Sequence, residues 1–144
     1  QHHSNAQHEQ PEAMAILEEV MAALYSAGLP MPGSCMSDDE ALAYARQHLV
    51  YGGYCLVRNW RWLDLEATES QRLLLAKTGR QPALIYAHTV IYDSERRWDV
   101  GDFVRTSLLH QHDGFHFKTL NTVYLLLGPG TRIPVSSEAV ASIF

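Results

Sequence analysis

Residues 99–128, DVGDFVRTSLLHQHDGFHFKTLNTVYLLLG, restrict what this chain can fold into more than any other stretch. Three runs rich in β-branched, aromatic and aliphatic residues, 103–109, 115–119 and 122–127, are separated by turn chemistry. Asp113-Gly114 lies between the first two. An Asp-Gly pair between apolar runs signals a hairpin with a type I′ turn, which needs positive φ at both central residues. Leu120-Asn121 offers the next reversal, because Asn tolerates the left-handed region. The pattern predicts an antiparallel meander on which the rest of the chain packs. It specifies a scaffold and names no chemistry.

The run Gly101-Asp102-Phe103-Val104-Arg105-Thr106-Ser107, followed by Asn121-Thr122-Val123-Tyr124-Leu125-Leu126-Leu127-Gly128, resembles the C-terminal signature of an uncharacterised family of small bacterial proteins. The resemblance covers residues 51–132. It implies a domain of unknown function and carries over no catalytic residue. His110, His112 and His116 stand outside that pattern.

At 144 residues the chain is long enough to bury a core as one domain. With 47% hydrophobic and 19% charged residues it reads as a soluble globule. The opening QHHSNA has the look of an expression-tag remnant, so residues 1–6 are set apart and 7–144 are read as the domain. No apolar run approaches the length of a membrane helix, and no secretory signal is readable. Cys35 and Cys55 lack the C-x-x-C spacing of a zinc site, and reduced thiols in a cytoplasmic protein are expected.

The net charge of −5 is unevenly placed. Residues 1–50 carry Glu9, Glu12, Glu18, Glu19, Asp38, Asp39 and Glu40 against Arg46 alone. No basic stripe for nucleic acid appears. An acidic helical face built from Glu12, Glu18, Glu19, Asp38 and Asp39 could meet a basic protein partner, although acids also gather at helix N-termini for local reasons.

In chain order, residues 11–27 place Ala13, Leu17, Val20, Met21 and Leu24 on one helical stripe, read as core-facing, with Pro11 in the first turn and Gly28 beyond the end. Ser37-Asp38-Asp39-Glu40 is a capping box for a second helix running to about Leu49. Residues 54–62 read as a strand with Tyr54, Leu56, Arg58 and Trp60 on one face and Cys55, Val57 and Asn59 on the other. Thr68-Glu69-Ser70-Gln71 caps a short inserted helix anchored by Leu73 to Leu75 and ended by Gly79. Residues 83–92 form a long strand of strong β-formers. After Gly128-Pro129-Gly130 the tail is open to either strand or helix. The fold class is α+β: an antiparallel sheet of about five strands, meander or Greek-key and partly barrel-like, with two N-terminal helices and one inserted helix.

No catalytic signature of the common hydrolase, nucleotide-binding or zinc-peptidase kinds is present. His110, His112 and His116 could ligate zinc, but they fall around a hairpin tip, so no metal and no cofactor are expected. The candidate binding residues are Arg58, His88, Arg105, Thr106 and Ser107. Arg58, Thr106-Ser107 and Glu138 follow the residue order of ADP-ribosyltransferases without the full motif. The leading reading is a small interaction or regulatory module. Its alternative is a small hydrolase or transferase using His88 as acid or base, with Arg58 or Arg105 stabilising an anion.

Overall fold

The computed structural model describes residues 2–142, with side chains described from Ala13 onward. The described residues form four helices and one sheet of eight strands. Helix α1 (His2–Tyr25) leads to strand β1 (Leu29–Met31), helix α2 (Asp38–His48) and the long strand β2 (Gly53–Leu65). Helix α3 (Glu69–Lys77), strands β3 (Ala83–Asp93) and β4 (Val104–Arg105), and the hairpin β5 (Gln111–Asp113) and β6 (His116–Lys118) follow. Strands β7 (Thr122–Leu126) and β8 (Gly130–Val135) and helix α4 (Ser137–Ser142) complete the chain. The open tail is therefore strand first and helix second.

The sheet is mixed, and larger than the antiparallel five-stranded sheet expected. Antiparallel pairings join β2 to β3, β3 to β4, β5 to β6 to β7, and β1 to β8. Yet β7 and β8 both run parallel to β2, end to end along its free edge. Gly53–Val57 pairs with Thr122–Leu126, and Arg61–Leu65 pairs with Thr131–Val135. The meander rule fails here because β2 is long enough to hold two strands in succession, and such pairing leaves no local trace in sequence.

The join between β7 and β8 is shaped by Trp60. Its indole Nε1 donates to the Gly128 carbonyl at 3.2 Å, and Gly130 lies flat against the ring with no room for a Cβ. Gly128-Pro129-Gly130 thus makes space for a fully buried tryptophan.

Asn59 changes which face of β2 points where. It takes φ 53°, a left-handed conformation that Asn tolerates. Cys55 and Val57 lie in the principal core, and so do Trp60 and Trp62, instead of Trp60 joining Tyr54 and Leu56. Strand β3 turns with it: Ile85, Ala87 and Val90 all enter that core. Asn59 Nδ2 reaches Thr89 Oγ1 at 3.4 Å across the turn. The sheet curls over this face, bringing Trp62 edge-on to Phe117 at 5.1 Å between ring centroids.

The opposite face is covered in two places. Strand β2 supplies Tyr54 and Leu56 to the cluster with Ala41 and Ala45 of α2, and Leu63 to the cluster with Ala23 of α1 and Val140 of α4. Each large side chain buried this way contributes about 1.5–3 kcal/mol.

Several local expectations change. Helix α1 starts at His2, inside the stretch set apart as a tag remnant, and runs through Pro11 at the loss of one ladder bond. Gly28 takes no positive φ; it lies close to the Arg132 carbonyl. In the hairpin Asp113 pairs with His116, so the central residues are Gly114 and Phe115. Of these two only Gly114 has positive φ, at 57°, which fits a type II′ turn and not type I′. The next reversal is held by the Thr119 hydroxyl, which accepts from the amides of Asn121 and Thr122, while Asn121 stays out of the left-handed region. Both predicted capping boxes are present, at Ser37/Glu40 and Thr68/Gln71.

Candidate functional site

Of the residues singled out by sequence, Arg58 and His88 turn to different helices, whereas Arg105 pairs with Tyr86, two residues from His88 on β3. Arg58 lies against α2: its Nε donates to Asp38 Oδ1 at 2.6 Å and its Nη2 to the Met36 carbonyl at 3.0 Å. A cleft of about 460 Å³ opens there, lined in part by Ser34, Cys35, Arg58 and Pro129. The adjoining turn of α2 is already closed by its own side chains. Ser37 Oγ accepts from the Glu40 amide at 3.2 Å, and Glu40 Oε1 accepts from the Ser37 amide at 3.0 Å. Those Ser37 bonds, backbone first and hydroxyl second, hold the Glu40 carboxyl below its ordinary pKa.

His88 lies at the other helix. Its Nε2 is 3.1 Å from the Leu24 carbonyl, its ring stacks on Tyr25 at 5.6 Å, and Tyr86 meets it edge-on at 4.9 Å. Arg61, two strand positions past the twist at Asn59, works beside it. The Arg61 guanidinium donates to the carbonyls of Ala23 and Ser26, and burial pulls its pKa down. Strand residues therefore satisfy the carbonyls at the C-terminus of α1, where no helical amide is available.

Arg105 is exposed on strand β4 and paired in register with Tyr86. Thr106 is buried, its hydroxyl accepting from the Ile85 amide at 3.0 Å and donating to the Ser107 carbonyl at 2.8 Å. Ser107 is exposed, and Glu138 lies in the first turn of α4. Thr106 thus holds the chain against β3, a role that its place in a polar triplet did not disclose.

The three clustered histidines point to separate partners. His110 Nδ1 is 2.5 Å from the Gly79 carbonyl, His112 packs on Trp62 at 4.8 Å, and His116 Nε2 is 2.7 Å from the Tyr44 hydroxyl. Among the described residues no three His, Cys, Asp or Glu side chains gather in a way that could hold a metal ion.

Among the described residues the most deeply buried charged side chain is Asp93, with both oxygens engaged by Arg97: the amide at 2.6 Å, Nε at 3.2 Å and Nη2 at 3.0 Å. Arg97 Nη1 also donates to Thr122 Oγ1 at 3.0 Å, and the guanidinium lies over Trp98 at 4.4 Å. Burial alone would raise the Asp93 carboxyl, but the Arg97 hydrogen bonds and charge outweigh it and hold it low. Neighbouring Cys55 is pushed up to about 12, first by burial and then by the Asp93 charge, so it is no nucleophile at neutral pH. Burial likewise lifts Tyr124 to about 12. The cluster is a structural clasp on the 94–103 connection.

What the sequence reading missed is surface. On α1 the inward residues are Ile16, Val20, Ala23 and Leu24, and not Leu17 and Met21. Met14, Leu17, Met21 and Tyr25 are between 51% and 65% exposed. The helix carries two apolar stripes, and the sheet takes only one. The signal was legible as the interleaved spacings 16-20-23 and 14-17-21. Helix α3 repeats the case: Leu73 and Leu74 are 58% and 62% exposed and only Leu75 is half-buried, so the leucines expected to anchor it largely do not.

The acids of the first fifty residues are divided. Glu18 is exposed one turn beyond Met14, while Glu19 accepts from Ser136 Oγ at 2.5 Å. Asp38 is paired with Arg58, Asp39 is exposed on α2, and the Glu9 and Glu12 side chains lie outside the described residues.

No helix among the described residues is long and apolar enough to cross a membrane. No curated protein and no solved structure matches the chain. A family model described as a domain of unknown function, DUF6957, matches residues 32–142, a span that takes in every element from α2 to α4 and leaves α1 and β1 ahead of it. The chain belongs to that family.

Proposed function

We propose that this chain is a small cytoplasmic protein-interaction module that offers the outer stripe of α1 to a helical partner. One observation carries the reading: Met14, Leu17, Met21 and Tyr25 share a helical face and all stand more than half exposed, while the opposite face is packed. Spacings of three and four residues suit a second helix laid along the first. Glu18 on the rim and the acidic excess of residues 1–50 favour a partner with basic flanks. Two free thiols, one of them exposed, suit a reducing compartment. The enzyme alternative, His88 with Arg58 or Arg105, would have to rest on Arg105, since His88 and Arg58 serve different helices.

The test uses a synthetic amphipathic helix with leucines at heptad positions and lysine flanks, alongside a scrambled peptide of equal charge. Saturable binding of the amphipathic peptide, weaker at higher salt and lost with Leu17→Glu, is expected. Equal binding of the scrambled peptide, or binding that ignores Leu17→Glu, overturns the reading.

A further inference from the structure

We infer that the partner of the α1 stripe is a second copy of this chain, and that the element it receives is α3. The inference rests on the reading of α1 as a docking face and supplies the missing identity. Helix α3 is the complementary surface in both polarity and charge. It has a complete capping box, a positive-φ glycine at its end and no buried residue, so it is well specified as a helix yet covers little. Its exposed Leu73 and Leu74 are flanked by Arg72 and Lys77, and Lys77 lies one turn beyond Leu73. On α1 the exposed Met14 and Leu17 are flanked instead by Glu18, one turn beyond Met14. Both helices carry an exposed apolar stripe, bordered by Glu18 on α1 and by Arg72 and Lys77 on α3.

The two helices also border one surface. A groove of about 190 Å³ beside α1 is lined in part by Glu19, Glu66 and Ser136. A second, of about 290 Å³ beneath α3, is lined in part by Glu66, Leu74 and Ser137. The grooves share Glu66 and meet at Ser136-Ser137, so α1 and α3 flank the same ground. A two-fold axis that sets α1 on the α3 of the second copy repeats the contact in reverse. Closed two-fold pairs are the commonest soluble assemblies, with apolar side chains at the centre and charges on the rim. Here Met14, Leu17 and Met21 meet Leu73 and Leu74, with Glu18 facing Lys77 across each repeat.

The symmetry makes the test discriminating. Sedimentation equilibrium of the whole chain across the micromolar range is expected to show a monomer–dimer equilibrium. Glu18→Lys alone, and Lys77→Glu alone, each place like charges at both contacts and weaken the dimer by about tenfold or more. Mixing the two variants restores it, because the introduced lysine meets the introduced glutamate at one contact and the native pair meets at the other. Leu73→Glu abolishes the dimer, and circular dichroism verifies that each variant is folded. A chain that is monomeric throughout, a dimer indifferent to Leu73→Glu, or a mixture no better than its components overturns the inference. The amphipathic peptide separates this failure from that of the docking reading. If it still binds in a Leu17-dependent way, only the self-partner is wrong; if it does not, both fall.

Discussion

Arg61 donates from Nε to the carbonyl oxygen of Ala23 at 2.5 Å, so a buried cation on the middle of the sheet terminates the N-terminal helix. His88 Nε2 lies 3.1 Å from the next carbonyl, that of Leu24. The residue read as a possible acid or base thus also sits at a helix end.

Replacing Arg61 by Met keeps much of its length and removes its donors. The carbonyls of Ala23 and Ser26 then stay buried without partners, at roughly 1–3 kcal/mol. Urea unfolding of Arg61→Met is expected to show that loss, and hydrogen exchange is expected to quicken at residues 22–26. An unchanged midpoint would remove Arg61 from the account of how α1 is held.

Asp93 gives the fold an acid limit. Its carboxyl titrates lower in the folded chain than in the unfolded one, so its pairing with Arg97 stabilises fully above the ordinary carboxylate value of about pH 4. That contribution disappears as the pH falls through the lower folded value. Asp93→Asn is expected to cost roughly 1–3 kcal/mol at neutral pH and to flatten stability against pH in the acid range. A variant with the same acid slope as the parent would show that other carboxylates set the limit.

Gly130 has no space for a methyl group, because its Cβ would overlap the buried Trp60 ring. Gly130→Ala is expected to destabilise by about 1–3 kcal/mol, with a change in tryptophan fluorescence as the indole shifts. Full stability with an unaltered emission spectrum would contradict the packing.

Gly114 is the opposite case, with nothing near a Cβ but φ at 57°. Gly114→Val is expected to cost about 1–2 kcal/mol through the backbone alone, while Gly114→Asn is tolerated better. Equal melting temperatures for the two variants would exclude positive φ as the cause.

The parts legible from sequence were those whose physics is local. The two capping boxes, the strand around Tyr54–Trp62, the long strand from Ala83 and a reversal at Asp113-Gly114 all follow from neighbours within a few residues and are present. The hairpin's first strand, however, is Gln111–Asp113, and the run 103–109 instead supplies β4, paired with β3. Alternation misplaced Trp60 and Val90, because a single left-handed residue at Asn59 turns β2 and β3 together. Leu17, Met21, Leu73 and Leu74 were assigned to the core because an apolar stripe by itself does not say what lies opposite it.

From the chain alone came the α+β class, the helix starts and the position of the hairpin, since propensity, caps and turn residues act over less than one helical turn or one reversal. Tertiary structure alone decided that β7 and β8 share the edge of β2, that Arg61 and His88 close α1, and that Arg58 and His88 turn to different helices. These are contacts between residues tens of positions apart. Their partners are chosen by how the packed sheet fills space, which no local pattern in the sequence encodes.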